Sequence, residues 1–226
     1  MSDVEFATLR TNMVREILAH TQLAREHIGK ESLASTVLDV LGRVPRHDFV
    51  PLELRQYAYV DSPLPIGYGK TISQPFIVAL MTDVLEIGPE DKVLEIGSGL
   101  GYQAAILAEL ARQVFTVEIV DELAREARAR IARLGYKNVE FKLGDGYYGW
   151  PEHGPFERII VTAAPELVPA PLLSQLKAGG RMVIPAGIAE AQQLTLVLKD
   201  ERGRLTMREI LPVRFSLLEP GERSET

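Results

Sequence analysis

The hydrophobic pattern of the chain changes twice, and these changes divide it into three parts. Residues 4–20 carry apolar side chains at helical spacing, which predicts an amphipathic helix. A second helix is expected over 32–41, with Ser32 as its N-cap. Prolines and glycines then interrupt every run between residues 44 and 75, which rules out long regular elements there. Three tyrosines in that segment argue against a solvated linker and favour a functional loop.

The remainder of the chain alternates short apolar runs with helical patterns. The predicted helices are 76–85, 102–112, 121–134 and 169–176, and the predicted strands are 93–96, 113–117, 139–143, 158–162, 181–185, 193–198 and 205–211. Such alternation predicts a doubly wound, mostly parallel α/β sheet, and the last two strands predict an antiparallel addition near the C-terminus. We expect one compact unit over 1–218, comprising N-terminal helices and a loop (1–75) and an α/β domain (76–218), followed by a flexible polar tail (219–226).

Composition excludes several function classes. The chain has 226 residues, a net charge of −6 and no cysteine, so thiolate metal sites, thiol nucleophiles and disulfides are excluded. The acidic N-terminal residues do not form a targeting peptide, and no apolar run approaches the roughly 20 residues of a membrane span. We expect a cytoplasmic monomer without nucleic-acid or membrane partners.

The segment from Lys92 to Leu110 combines a buried strand, a glycine turn and a helix. Glycines at 97, 99 and 101 permit backbone conformations and close ligand approach that a Cβ would prevent. A dinucleotide fingerprint would place its last glycine at position 102, which is Tyr102 here. The E-x-G-x-G-x-G form instead resembles the first motif of class I S-adenosylmethionine-dependent methyltransferases, although glycine turns also occur purely for packing.

Polar residues follow the next two predicted strands. Glu118 ends the second strand and can accept hydrogen bonds from ribose hydroxyls, or can be an ordinary helix-capping acid. Asp145 follows the third strand beside Gly146 and can accept from an adenine amino group, or can be a plain turn aspartate. Glu95 would be an unusual buried charge. We expect it to lie near the cationic end of the cofactor or to accept backbone N–H groups of the glycine turn.

A longer set of segments carries a more specific resemblance. The segment from Tyr59 to Pro75, YVDSPLPIGYGKTISQP, closely resembles the substrate-site signature of protein-L-isoaspartate O-methyltransferases. Other segments agree with the family in its order: RHDFVP precedes this segment, and LEIGSGLGYQAA, GDG with GW, IIVTAA and LKAGGRMVIP come after it. The resemblance covers about residues 10–215. It implies a Rossmann-like methyltransferase sheet and transfer of a methyl group from S-adenosyl-L-methionine to the free carboxylate of isoaspartyl residues in damaged proteins and peptides.

The resemblance also implies roles for individual positions. Ser73 matches the active-site serine. The residues implied in cofactor binding are Thr71, Ile72, Ser73, Glu95, Gly97, Gly99, Gly101, Glu118, Asp145 and Gly146. The residues implied in substrate binding are Tyr59, Asp61, Ile66, Thr71 and Ser73. Two departures are visible: Lys70 stands where many bacterial relatives have glutamine, and residues 216–220 replace a short valine-proline-leucine close, so we assign no C-terminal substrate contacts.

The chemistry of carboxylate methylation fits the chain's residues. A carboxylate with a pKa near 4 is ionised at neutral pH, so no general base is needed. None of the four histidines stands at a predicted strand end with a glycine turn, and we interpret His47 as part of a structural turn. No metal site is implied. Ser73 would orient the acceptor. On local sequence alone the N-cap of the helix that follows is the favoured interpretation of Ser73, and the two roles are compatible.

We further expect residues 59–69 to fold over the glycine turn as one wall of a peptide groove, and Trp150 to serve core packing. Two other functions stay open at this stage. One is methylation of a small carboxylic acid, and the other is a cofactor-binding module without turnover.

Overall fold

The computed structural model describes residues 1–220. The helices are α1 (Asp3–Ile28), α2 (Ser35–Leu41), α3 (Pro75–Leu85), α4 (Tyr102–Ala108), α5 (Asp121–Arg133) and α6 (Ala170–Gln175). The strands are β1 (Leu64–Gly67), β2 (Lys70–Ile72), β3 (Lys92–Ile96), β4 (Gln113–Glu118), β5 (Val139–Leu143), β6 (Phe156–Val161), β7 (Leu176–Ile188), β8 (Ala191–Lys199) and β9 (Leu205–Val213). The predicted tail residues 221–226 lie outside the described chain.

Seven strands form the central sheet in the order β5-β4-β3-β6-β7-β8-β9. Strands β3 to β7 are parallel, whereas β8 runs antiparallel to both of its neighbours. The chain builds outward from β3 first through β4 and β5, and then on the other side through β6 and β7. The predicted doubly wound sheet with an antiparallel C-terminal addition is confirmed. Its topological switch point lies at the carboxyl end of β3, where open α/β sheets bind ligands.

The N-terminal helices pack on one face of this sheet. Phe6 and Met13 of α1 belong to the same buried cluster as Val93 of β3 and Ile160 of β6. The predicted N-cap of α2 is wrong: Ala34 occupies that position, and the Oδ1 atom of Asp83 on α3 accepts from its backbone N–H at 2.7 Å. A tertiary contact therefore replaces the local cap that Ser32 would have supplied.

Residues 44–75 contain two 3-10 turns, Arg46–Phe49 and Leu52–Tyr57, and then the β1–β2 hairpin. The absence of long elements within this segment agrees with its proline and glycine content. The hairpin reverses direction through Gly67, Tyr68 and Gly69, all with positive φ. Tyr68 is thus one of the non-glycine residues in a conformation that favours glycine.

The opposite face of the sheet is covered by a second buried cluster. Leu94 and Ile96 of β3 pack there with Phe115 and Phe156. Trp150 is half-buried against this cluster, with its ring edge-on to Phe115 at 5.6 Å between centroids. The prediction that Trp150 serves core packing is confirmed.

After β9 the chain turns back across the carboxyl end of the sheet. Leu217 forms a parallel bridge with Ala164, whose N–H donates to the carbonyl of Ser216 at 2.8 Å. The N–H of Leu218 donates to the Ala164 carbonyl, also at 2.8 Å. These bonds hold residues 212–219, the C-terminal segment, over the ends of the parallel strands. None of the helices within residues 1–220 is both long and apolar enough to cross a bilayer.

Candidate active site

A cavity of about 530 Å³ lies beyond the carboxyl ends of β3, β4 and β6. One side, the strand-tip wall, consists of Gly97, Gly99, Glu118, Gly146 and Thr162. The facing side, the hairpin wall, consists of Ile66, Lys70, Thr71 and Ser73. The C-terminal segment also lines the cavity. The cavity's volume is within the range of about 300–1,000 Å³ that is common for small-molecule sites.

The glycine turn sits at the centre of the strand-tip wall. Gly97 has a φ of +91°, and a Cβ at this position would lie 2.4 Å from the Oγ1 atom of Thr162. The Thr162 hydroxyl fills that space and donates to the Gly97 carbonyl at 2.7 Å. Glycine is thus required both for the backbone conformation and for the close approach of β6. Thr162 was not predicted as a site residue, although it directly follows β6, at the same edge of the sheet where Glu118 ends β4.

The other two glycines of the turn have different neighbours. Gly99 has a φ of +53°, and a Cβ there would lie 3.2 Å from the Cδ1 atom of Ile66 on β1. The predicted placement of the 59–69 loop beside the glycine turn is therefore confirmed for Ile66. Gly101 precedes α4 with a φ of +95° and faces Ile131 and Ala127 of α5, so its contacts are with the core and not with the cavity.

Glu118 holds the strand-tip wall together. Its Oε2 atom accepts from the Gly99 N–H at 2.8 Å, and its Oε1 atom accepts from the N–H groups of Ile119 at 3.0 Å and Val120 at 3.1 Å. The carboxylate therefore braces the glycine turn and the start of α5 while it lines the cavity. The interpretation of Glu118 as a helix-capping acid is wrong, because α5 has no side-chain cap. Its contact with ribose hydroxyls stays a prediction.

Glu95 lies beneath the same turn and is fully buried. Burial raises the pKa of Glu95 to about 8; its in-register neighbour Thr116 lowers the pKa in part, and the negative charge of Glu118 adds to the rise. Neither carboxylate oxygen has a hydrogen-bond partner within the described chain. The expectation that Glu95 accepts backbone N–H groups of the turn is wrong, because Glu118 takes the Gly99 N–H instead.

Asp145 and Gly146 follow β5. The Asp145 Oδ1 atom accepts from the Tyr147 N–H at 2.8 Å, which caps a short 3-10 turn. Gly146 is buried and lines the cavity, and a Cβ there would lie 2.3 Å from Cγ2 of Ile96. The structure thus brings Gly146 to the cavity, with Asp145 immediately beside it in the turn.

Ser73 faces the cavity from the hairpin wall. Its carbonyl accepts from the Nη2 atom of Arg46 at 2.7 Å, while the Nε atom of Arg46 donates to the Ala58 carbonyl, also at 2.7 Å. Arg46 is completely buried, and burial lowers the pKa of its guanidinium. Arg46 is a positioning residue that the sequence analysis missed, because nothing local distinguishes a buried arginine from an exposed one.

Ser73 is not the N-cap of α3. Gln74 occupies that position without a side-chain cap, and Asp61 Oδ1 accepts from the Phe76 N–H at 2.8 Å instead. The other oxygen of Asp61 contacts His20 and accepts from Gln74 at 3.0 Å. Asp61 therefore organises the start of α3 and does not line the cavity.

Two further predicted site residues lie away from the cavity. Tyr59 is buried, and its hydroxyl contacts Nδ1 of His47 at 2.7 Å and Nη1 of Arg10 at 3.3 Å. Ile72 is buried in the main core cluster, whereas its neighbour Thr71 faces the cavity. Burial lowers the pKa of His47, whose ring stacks on Phe6. No histidine lines the cavity in the described part of the chain, and residues 1–220 hold no cluster of three or more potential metal ligands.

Comparison with known proteins assigns the family. The profile of protein-L-isoaspartate(D-aspartate) O-methyltransferase matches residues 19–222. The chain belongs to this family. It is 58% identical over 222 residues to protein-L-isoaspartate O-methyltransferase 1 of Polaromonas sp. (strain JS666 / ATCC BAA-500), covering 98% of this chain and 94% of that protein. It is 55% identical to protein-L-isoaspartate O-methyltransferase 2 of Syntrophobacter fumaroxidans (strain DSM 10017 / MPOB), covering 97% and 90% of the two chains.

Solved structures agree with the fold. A protein-L-isoaspartate O-methyltransferase structure superposes with a TM-score of 0.79 at 29% identity, covering 93% of this chain and 66% of that one. A Plasmodium falciparum structure in complex with S-adenosyl-L-homocysteine superposes with a TM-score of 0.74 at 23% identity, covering 90% and 97% of the two chains. The second likeness shows the Rossmann-like fold alone.

Proposed function

We propose that this chain transfers the methyl group of S-adenosyl-L-methionine to the free carboxylate of L-isoaspartyl residues in damaged proteins and peptides, giving a methyl ester. The observation that carries the proposal is the shared cavity of two segments. The glycine turn lines one wall, and the hairpin with Thr71 and Ser73 lines the facing wall. A methyl donor bound at the first wall would meet an acceptor bound at the second.

The residues of the strand-tip wall suit the cofactor. Close approach to the backbone is possible at Gly97, Gly99 and Gly146 because these positions lack side chains. Glu118 presents a carboxylate, the acceptor type that ribose hydroxyls need, at the end of β4. Glu95 beneath the turn is a buried acid without a hydrogen-bond partner in the described chain, and a cation bound nearby would favour its charged form.

When bound, S-adenosyl-L-methionine supplies an electrophilic methyl group on a sulfonium sulfur. The hydroxyl of Ser73 donates a hydrogen bond that orients the acceptor carboxylate, and Arg46 fixes Ser73 through its carbonyl. The acceptor is ionised at neutral pH and loses no proton in the reaction, so the site needs no general base. The enzyme therefore acts mainly by positioning, which can lower a barrier by about 7–11 kcal/mol in favourable cases.

The hairpin and the C-terminal segment exclude water from the reacting atoms. Ile66 packs over Gly99, and Leu217 and Leu218 are tied to the strand end at Ala164. Both segments present backbone groups beside the cavity, which suits an enzyme that accepts isoaspartyl residues in many sequence contexts. We place the enzyme in the cytoplasm as a monomer that binds neither nucleic acid nor membranes.

The test is methyl transfer from labelled S-adenosyl-L-methionine to a synthetic peptide that contains isoaspartate. A twin peptide with normal aspartate at the same position is the control, since it differs only in which carboxylate is free. We expect labelling of the isoaspartyl peptide and not of its twin. Equal labelling would indicate a general carboxylate methyltransferase, and labelling of neither peptide would indicate a module that binds the cofactor without this activity.

A further inference from the structure

An ion pair joins the hairpin wall to the C-terminal segment at the edge of the cavity. The Nζ atom of Lys70 lies 2.5 Å from Oε1 of Glu219, and the two residues are 149 positions apart in the chain. Both residues line the cavity.

The two partners of this pair differ in how firmly they are held. The Lys70 side chain is 17% exposed and lies in the hairpin beside Thr71. The Glu219 side chain is 58% exposed and lies beyond the last hydrogen bond of the C-terminal segment, at Leu218. Glu219 is therefore the partner that can leave, while Lys70 stays at the cavity.

The other carboxylate lining the cavity cannot take the place of Glu219. Within the described chain the acidic residues that line it are Glu118 and Glu219. Glu118 already accepts three backbone N–H groups. Among residues 1–220, Lys70 thus has one carboxylate partner, which is weakly held, in a site whose proposed substrate is itself a carboxylate.

We propose that the Lys70 ammonium is the electrostatic binding group for the acceptor carboxylate, and that Glu219 occupies it as an internal stand-in until substrate arrives. This inference rests on the proposed function and adds to it the residue that selects a charged acceptor. An incoming isoaspartyl carboxylate exchanges with Glu219 on Lys70 and is brought beside Ser73.

The same exchange favours product release. In the transfer, the carboxylate oxygen forms a bond to the methyl carbon as the sulfur–methyl bond breaks, and that bonding electron pair stays on sulfur. The carboxylate and sulfonium charges both vanish, and no proton moves. The methyl ester has no charge to pair with Lys70, so Glu219 returns to it and the neutral product is displaced.

Binding of peptides in the presence of S-adenosyl-L-homocysteine, measured by titration calorimetry, tests this exchange without turnover. Exposed ion pairs contribute about 0.2–1 kcal/mol, so removing the stand-in with Glu219→Gln should tighten binding of the isoaspartyl peptide about 1.4- to fivefold. Lys70→Gln should weaken it about tenfold. The double variant should match Lys70→Gln within about twofold, because Glu219 acts only through Lys70.

The methylated peptide provides the second arm. Wild type should bind the isoaspartyl peptide about tenfold more tightly than its methyl ester, and Lys70→Gln should lose most of this preference. Arg214, the other cation that lines the cavity in the described chain, is present in both proteins. Glu209→Gln and Lys137→Gln, which make the same charge changes at exposed positions that do not line the cavity, should leave all affinities unchanged.

The inference is overturned if Glu219→Gln weakens or does not change binding, or if Lys70→Gln prefers the acid to the ester as strongly as wild type does. Wild-type turnover separates this failure from failure of the proposed function. If wild type methylates the isoaspartyl peptide and not the aspartyl twin, these binding results decide the exchange alone. If wild type methylates neither peptide, the proposed function fails and the inference fails with it.

Discussion

The two walls of the cavity are built in different ways. The strand-tip wall is held by the sheet, by positive φ angles and by one carboxylate, Glu118, that accepts three backbone N–H groups. The hairpin wall depends on side chains from distant segments: Arg46 holds the Ser73 carbonyl, and Lys70 pairs with Glu219. The cofactor side is thus encoded mostly by local backbone requirements, whereas the acceptor side requires the folded chain to bring its parts together.

The largest effect on the strand-tip wall is expected from a substitution that adds a side chain to the glycine turn. Gly97→Ala adds a Cβ that would lie 2.4 Å from Thr162 Oγ1, at a φ of +91°. Strain and overpacking should lower the free energy of unfolding by about 2–5 kcal/mol and abolish cofactor binding. Chemical denaturation and calorimetric titration with S-adenosyl-L-homocysteine measure the two effects.

Gly135→Ala is the matched control. Gly135 has a similar φ of +85°, but a Cβ there would meet nothing within 4 Å. It should lower the free energy of unfolding by only about 1–2 kcal/mol and leave cofactor affinity intact. Equal effects of the two substitutions would mean that backbone strain alone, and not the close approach of Thr162, makes glycine necessary at position 97.

A second prediction concerns the buried acid beneath the strand-tip wall. The pKa of Glu95 is raised by burial from 4.5 to about 8 in the folded chain. Between these values the folded chain keeps a proton that the unfolded chain has lost, so the stabilising contribution is complete below pH 4.5 and is lost as the pH rises toward 8. Relative to Glu95→Gln, the wild-type free energy of unfolding should fall by about 1.4 kcal/mol per pH unit across this window.

Denaturation curves at several pH values check this difference. The free energy of unfolding of Glu209→Gln, a change at an exposed position, should vary with pH as that of wild type does. If wild type and Glu95→Gln also run parallel, Glu95 is already ionised in the folded chain, and the site beneath the glycine turn is more polar than its burial indicates.

The strand-tip wall was largely predictable from the sequence, and the physical reason is local. The alternation of apolar runs predicts parallel strands, and their ends meet at one edge of a sheet, so Gly97, Glu118 and Gly146 could be expected together. Thr162 obeys the same rule and could have been found by it. Two assignments were incorrect. Gly101 faces the core, and the Gly99 N–H donates to Glu118 and not to Glu95, because both are carboxylates near the turn and the pleat decides between them.

The hairpin wall was predictable only in part. The resemblance placed Ile66, Thr71 and Ser73, and the structure brings all three to the cavity. It also suggested Tyr59 and Asp61, whose polar atoms contact interior partners instead. No local pattern reveals which polar groups of an irregular segment point inward, because that depends on partners such as His47 and Phe76 elsewhere in the chain.

The Lys70–Glu219 ion pair could not be predicted from the sequence. Each residue stood out as a departure from the family pattern, but nothing in the sequence indicates that the two meet. A contact across 149 positions depends on the turn after β9 and on the hydrogen bonds at Ala164. Glu219 was expected in a flexible tail, and its pairing follows only from the path of the C-terminal segment.

The central claim is that the strand-tip wall binds the cofactor and the hairpin wall binds the acceptor. A comparison of Ser73→Ala with wild type tests this claim most directly. Turnover of an isoaspartyl peptide and affinity for S-adenosyl-L-homocysteine are measured on the same preparations, with Ser32→Ala as the control for loss of a serine hydroxyl outside the cavity. A hydrogen bond to a charged group contributes about 1.5–3 kcal/mol, so turnover should fall about 10- to 100-fold while cofactor affinity stays within about twofold. Unchanged turnover, or a loss of cofactor affinity as large as the loss of turnover, would contradict the assignment of Ser73 to the acceptor.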